Sequence, residues 1–282
     1  TLHTDGKTKG KINYTVWSDV FVCPECVGKI VFWDVAVEIG KGNVLNDFKC
    51  PNCKIWLSKT PANLKKEGEK NPDKRRPQSS KVERAWISFY DDRIKQTVKH
   101  AKQIPVLINY SIGKAKYRKK PDARDLELIE KINNLETTYW YPAYKIPKGD
   151  KTSDPFNVGI THVHHFYTKR NLLCLSALWK KLPKKLKWIA TSFLSRNLLK
   201  CNRYVVNLHN PKGRVNGPLT GTFYIPSESV EQSAISLFKD KILSIGWDTT
   251  GNVINNSCAA DAPNFPSNSI DYLFFDPPFG AN

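Results

Sequence analysis

The chain has 282 residues, 40% of them apolar and eight of them tryptophan, which is enough to bury a real core as one large domain or two small ones. No run approaches the ~18 apolar residues of a membrane-spanning helix, and the start lacks the basic-then-apolar pattern of a secretory leader, so no membrane association is expected. The formal charge is +18 and unevenly placed: residues 59 to 120 hold 18 Lys/Arg against 6 Asp/Glu, residues 169 to 203 hold ten basic and no acidic residues, and from Gly221 onward seven acidic residues stand against two basic.

That segregation suits a polyanion-binding face beside a less basic region. Taken in order, the chain opens polar and Lys-rich. Ile12-Asn13-Tyr14-Thr15-Val16-Trp17 then alternates as a strand at an exposed sheet edge would. Cys23-Pro24-Glu25-Cys26 and Cys50-Pro51-Asn52-Cys53 follow as two CxxC pairs 23 residues apart. Each pair presents two thiolates from one tight turn, and two such knuckles complete the closed tetrahedral four-sulfur shell of structural zinc. A lone CxxC would also suit a thioredoxin-like redox site; its duplication favours a zinc ribbon. Gly28 fits a sharp turn after the first knuckle, whereas Lys54 does not fit one after the second. Cys174, Cys201 and Cys258 are scattered singles, read as reduced thiols, and cysteine usage fits a reducing, cytoplasmic compartment.

From Ser58 to Ser80 the composition turns to Lys, Pro, Asn, Gln and Ser, predicting a mobile basic linker. Val82, Ala85, Trp86, Phe89, Ile94 and Val98 recur at helical spacing up to Ile104-Pro105, so a helix is predicted, its aromatic stripe facing the core or, less simply, stacking on bases. Val106 to Tyr110 reads as a short strand. Lys114 to Lys120 reads as a basic loop whose Lys116, Arg118, Lys119 and Lys120 can grip phosphates. A helix capped by Asp122 follows Pro121, with Leu126, Ile129 and Ile132 on one face.

Tyr139, Trp140, Tyr141 and Tyr144 lie among prolines and glycines in an irregular loop that can stack on bases or cover a core edge. His162, His164 and His165 invite a metal reading. No carboxylate lies between Asp154 and Glu228, however, so a mixed His/carboxylate site has no local second half. The preferred reading is a loop feeding a helix that starts at Thr168 or Asn171, where free amides with Lys169 and Arg170 make an anion site. Leu172 to Lys181 and Lys184 to Arg203 read as basic amphipathic segments, either laid along a phosphate backbone or simply solvated. Thr222 to Ile225 reads as a strand, and Pro226-Ser227 as the opening of a helix with Glu228 and Glu231 in its first turn.

The last stretch carries the most chemistry. Ser269 to Phe275 is an apolar, β-favouring run that ends in Asp276 and meets Pro277 and Pro278, which cannot continue a ladder. Asp276 is therefore placed at a strand's carboxyl end, where open α/β sheets hold ligands; an ordinary strand-to-turn exit is the plain alternative. Asp276-Pro277-Pro278-Phe279 resembles the catalytic tetrapeptide of the amino-group DNA methyltransferases, which use S-adenosylmethionine on adenine N6 or cytosine N4. Ile12 to Cys23, His164 to Asn171, Gly221 to Pro226 and Asn268 to Gly280 further resemble the zinc-ribbon-containing DNA methylases of prokaryotes.

The resemblance implies an α/β fold: a partial Rossmann-like methyltransferase sheet with an inserted zinc ribbon and a helical, basic recognition region. It divides the chain into a ribbon at 12–58, a basic recognition region at 59–160 and a partial methyltransferase domain at 161–282. It further implies catalysis by Asp276, Pro277, Pro278 and Phe279 on double-stranded DNA, most simply adenine N6, and structural zinc on Cys23, Cys26, Cys50 and Cys53. DNA contacts are expected at Lys116, Arg118, Lys119, Lys120, Lys169 and Arg170. Cytosine N4 methylation and non-catalytic nucleic-acid binding are the competing readings. Asp261, one connection before the catalytic strand, is a candidate for contact with S-adenosylmethionine. The aromatic-x-Gly-x-Gly loop that holds this cofactor in the family is absent from the sequence. With no methionine and an end three residues past the tetrapeptide, the chain is expected to be an internal fragment, with that loop upstream and little activity by itself.

Overall fold

The computed structural model describes residues 1–60 and 78–244, together with Pro266 and Ser269. Thr1–Leu243 forms one compact unit and Ser244–Asn282 a second. The elements below belong to the first, but for the closing residue of its last helix. They begin with β1 (Lys11–Val22), β2 (Lys29–Val31), α1 (Phe32–Ala36), β3 (Val37–Glu38), β4 (Asn43–Val44), β5 (Asp47–Lys49) and β6 (Trp56–Ser58). Next come β7 (Ser80–Lys81), β8 (Glu83–Arg84), β9 (Trp86–Asp91), β10 (Gln96–Ala101), β11 (Gln103–Ile112), β12 (Ala115–Lys119) and α2 (Ala123–Asn133). The chain continues through α3 (Ser153–Phe156), a 3-10 turn (Val163–Phe166), α4 (Lys169–Lys181), α5 (Lys184–Asn197), β13 (Arg203–Asn207), β14 (Asn210–Asn216), β15 (Glu228–Gln232) and α6 (Ala234–Ser244).

Strand β1 is central, not the exposed edge that its alternation predicted. It pairs antiparallel with β11 on one side (Thr15 opposite Ile108) and with β15 on the other (Val16 opposite Val230). Its far end pairs with β2 and β8. With both edges taken and both faces covered, Thr15, Val16, Ser18 and Asp19 are all buried. Register shifts at Ile12/Tyr14 and Val16/Trp17 bend the strand, which lets one segment serve two cores. One core gathers Phe21, Ile30, Phe32, Phe48 and Leu57 around Cys23 and Cys50; the other gathers Val16, Trp33, Val106, Tyr204 and Val230.

The main sheet runs in the order β12-β11-β1-β15-β13-β14. Each of its pairings is antiparallel, so the described residues form a curled antiparallel sheet within a mixed α/β unit, and no Rossmann-like parallel sheet is shown. Arg118 on β12 reaches across the curl to the carbonyls of Lys212 and Gly213 on β14, the opposite end of the strand order. Gly213 serves the neighbouring strand: its φ is +74°, and a Cβ there would lie 2.2 Å from the Tyr204 ring on β13. Since β11 and β15 both pair with β1, the segments 12–58, 59–160 and 161–243 contribute to one sheet.

Two predicted helices are strands. Trp86 to Ala101 forms the β9–β10 hairpin, with Phe89 opposite Val98 and a turn closed by Lys95 at φ +55°. The run Trp-Ile-Ser-Phe-Tyr has the aromatic and β-branched content of a strand, and this outweighed a coincidental helical spacing. Residues 228–232 form β15 because β1 offers an open edge to a segment alternating Ser229, Val230, Glu231; the helix predicted there starts at Ala234. Thr222 to Ile225, expected as a strand, is irregular. The helix after Pro121 forms with a full capping box between Asp122 and Asp125, yet Leu126 is 47% exposed and Ile129 and Ile132 are only half-buried, so its apolar face is partly covered. The basic stretch from Ser58 to Ser80 is described only at its ends, where Leu57 pairs in parallel with Ser80.

Candidate metal centre

Both CxxC knuckles are built alike. The amide of Val27 donates to the carbonyl of Cys23 at 3.0 Å, and that of Lys54 to Cys50 at 3.1 Å. Val27 (φ +57°) and Lys54 (φ +64°) both take the left-handed conformation. The sharp turn therefore falls on Val27, not on Gly28, and Lys54 does occupy its counterpart. Gly28 matters for a different reason. A Cβ there would lie 2.2 Å from Asn52 Nδ2 and 3.2 Å from Cys26 Sγ, so its bareness lets the two knuckles meet.

The four sulfurs of Cys23, Cys26, Cys50 and Cys53 lie within 4.8 Å of one another and can hold a metal ion. Cys23 Sγ is 3.6 Å from Cys53 Sγ, and Cys26 Sγ is 3.7 Å from Cys50 Sγ; all four are free thiols. Burial by itself would raise the Cys50 thiol, but the amides of Cys53 and Asn52 aimed at its sulfur bring it down to about 7.

A second cluster joins residues far apart in sequence. His164 and His165, in the 3-10 turn, direct their Nε2 atoms to one oxygen of Asp91, Oδ2, at 2.7 and 2.8 Å. All three residues are buried. Burial opposes charge on Asp91, yet the bonds from His165 and His164 hold its carboxyl down at about 2. Burial pushes His165 down to about 4. The carboxylate that the three-histidine segment lacked locally is thus supplied by the end of β9. Sequence offered no signal for this, because Asp91 stands 73 residues before His164 on a segment predicted to be helical.

A third polar centre lies at the start of α4. Thr168 caps the helix, accepting from the Asn171 amide, as the sequence suggested. Arg170 turns inward and donates Nε and Nη2 to Glu231 at 2.9 and 2.7 Å; Thr168 and the Trp17 indole donate to the same carboxylate. Burial of Glu231 disfavours its charge, but these four donors hold the carboxyl below its usual range.

Beside the ribbon opens a cavity of about 630 Å³ lined by Phe21, Val82 and Trp86 and by Lys59, Lys81, Glu83, Arg84 and Lys99. Trp86 is 40% exposed, with Lys99 Nζ 5.3 Å from its ring centre. Arg84 is held by the buried Asp19, and Lys59 donates to Ser227. Lys81 is exposed. Exposed Ile87, Phe89 and Tyr90 continue from Trp86 along the hairpin.

Of the predicted DNA contacts, Lys116 and Lys120 are exposed, the latter 3.7 Å from Asp34, and Lys169 is half-buried. Lys119 is half-buried, its side chain held between Asp122 and Asp125 at 2.6 and 2.8 Å. It is engaged within the fold, as is Arg170, while Arg118, though exposed, donates to the carbonyls of β14. In the aromatic loop, Trp140 and Tyr144 are exposed, while Tyr141 packs under Arg93. Asp276, Pro277, Pro278, Phe279 and Asp261 lie outside the described residues. Among the described residues, no helix is long and apolar enough to cross a membrane. In comparisons with known proteins, no family model, no curated protein and no solved structure matches this chain.

Proposed function

We propose that this chain is part of an S-adenosylmethionine-dependent DNA methyltransferase acting on the amino group of a flipped base, adenine N6 in the first instance and cytosine N4 as the nearest alternative. The observation that carries the reading is Asp276-Pro277-Pro278-Phe279 at the end of an apolar run. The ribbon and the basic, Trp-bearing cavity support it as parts that engage nucleic acid. Zinc is the metal proposed for Cys23, Cys26, Cys50 and Cys53. A tetrahedron of ~2.3 Å Zn–S bonds has edges of about 3.8 Å, close to the 3.6 and 3.7 Å sulfur separations. Four protein ligands leave no open position, so this zinc would be structural.

S-adenosylmethionine would supply the methyl group; no described residue is assigned to it. The chain's own contribution is to the base. Asp276 and the carbonyl of Pro277 would accept the two amine hydrogens, favouring the pyramidal nitrogen that takes the methyl as the methyl–sulfur bond breaks, and Asp276 would take up the proton released. Phe279 stacks on the flipped ring. Incubation of the complete protein with DNA and methyl donor, followed by mass spectrometry of the nucleosides, tests this. Methylated adenine is expected, and Asp276→Ala should abolish it while leaving DNA affinity largely intact; retained turnover removes Asp276 from the mechanism. The second reading, a non-catalytic nucleic-acid binder, is favoured by the cysteine cluster and the basic, Trp-bearing cavity, which can engage nucleic acid without any chemistry. DNA binding with no methylated nucleoside would select it.

A further inference from the structure

We propose that Asp91, His164 and His165 bind a second transition-metal ion, through the carboxylate Oδ2 and the two imidazole Nε2 atoms. This site is chemically unlike the thiolate cluster. Two imidazoles and one carboxylate form an intermediate donor set that suits zinc, cobalt(II) or iron(II). The three donor atoms lie within 4.8 Å of one another, and both Nε2 atoms approach the same oxygen at 2.7 and 2.8 Å. That oxygen is held in place: Asp91 Oδ1 accepts the Arg93 amide at 2.9 Å, as carboxylate ligands are usually braced.

Two further observations point to a ligand. His164 Nδ1 and His100 Nε2 are buried and have no hydrogen-bond partner, and the His100 ring lies 4.6 Å from that of His165. His164 and His100 are only 6% and 7% exposed. Ligation through Nε2 leaves His164 Nδ1 unchanged, so the pointer to a ligand is His100, a buried and unpartnered imidazole packed against His165 that adds a further nitrogen to the cluster. Among the described residues, moreover, the only ion-pair partners of Asp91 are these two histidines. A divalent ion would supply that buried carboxylate with a cation.

The position also gives the ion a structural role. The β9–β10 hairpin forms its own two-stranded sheet outside the main one, and an isolated hairpin is marginal in water. Asp91 is the last residue of β9, so an ion on Asp91, His164 and His165 would staple the hairpin, and with it exposed Trp86, Phe89 and Tyr90, to the segment leading into α4.

Metal analysis of the purified 282-residue chain, refolded with zinc and desalted, provides the test. About two zinc ions per chain are expected, falling to about one in Asp91→Asn, with the thiolate-bound ion retained. Where the variant fails to fold, X-ray absorption of the wild-type chain decides. A nitrogen/oxygen shell at about 2.0–2.1 Å beside the sulfur shell supports the site. One zinc per chain with sulfur ligation alone, or full metal content in a folded Asp91→Asn, overturns it and leaves a hydrogen-bonded triad. Neither result depends on methyl transfer, so the site can fail while the proposed function stands.

Discussion

Glu231 and Glu228 stand three residues apart on one strand and meet opposite electrostatic fates. Glu231 is 4% exposed and is met by Arg170, Thr168 and Trp17. Removing one member of such a buried pair leaves the other uncompensated. Glu231→Ala should therefore lower unfolding stability by about 3–5 kcal/mol in urea titrations, and Arg170→Met with Glu231→Leu should recover most of the loss. Glu228 is half-buried, but its Oε1 is fully buried and unpartnered. Burial pushes its carboxyl up to about 7, with Lys59 pulling it down and Asp19 adding to the rise. A carboxyl whose pKa is higher in the folded than in the unfolded chain favours folding while protonated. Its contribution is complete below its ordinary value of 4.5 and lost as pH rises through about 7. Glu228→Gln should accordingly raise Tm at about pH 8 and leave it unchanged at about pH 4, as read by thermal melts.

At the scale of elements, the hairpin and the groove beside it decide how nucleic acid would be met. Trp86 and Lys99 share one hairpin and, with Lys81, line the cavity. A base stacked on Trp86 contributes about 1–3 kcal/mol. Trp86→Ala should weaken binding of a single-stranded oligonucleotide in fluorescence anisotropy by that order without changing Tm, because the ring is 40% exposed. Lys81→Ala with Lys99→Ala should instead lower affinity evenly across sequences and reduce the salt slope by about 1–2. Unchanged affinity and slope in all three variants would exclude this groove. The basic run at 114–120 reads differently once folded. Arg118 ties β12 to β14 and Lys119 is held by α2, so charge counted along the sequence overstates the charge free to bind.

For the molecule as a whole, β1 couples the ribbon to the main sheet. Its first half pairs with β11 and β15, while its far end enters the thiolate cluster through Cys23. Stripping metal with a chelator, or substituting Cys50→Ser with Cys53→Ser, should thus destabilise the sheet along with the ribbon. Calorimetry is expected to show one transition at lower Tm, not an unchanged sheet with a lost ribbon. The sequence by itself determined the features with local causes: two CxxC knuckles at ligand spacing, Asp122 and Thr168 as helix caps, the helices that follow them, and the tetrapeptide motif on which the proposed chemistry rests. Those signals act over a few residues, where capping hydrogen bonds and turn geometry decide the outcome. Only the tertiary structure decided that β1 is central, that 86–101 and 228–232 are strands, that Arg118, Lys119 and Arg170 are engaged internally, and that Asp91 meets His164 and His165. Each of these depends on which edge or charge a distant segment offers, and pairing across the fold outweighs the weak local preference that spacing alone can express.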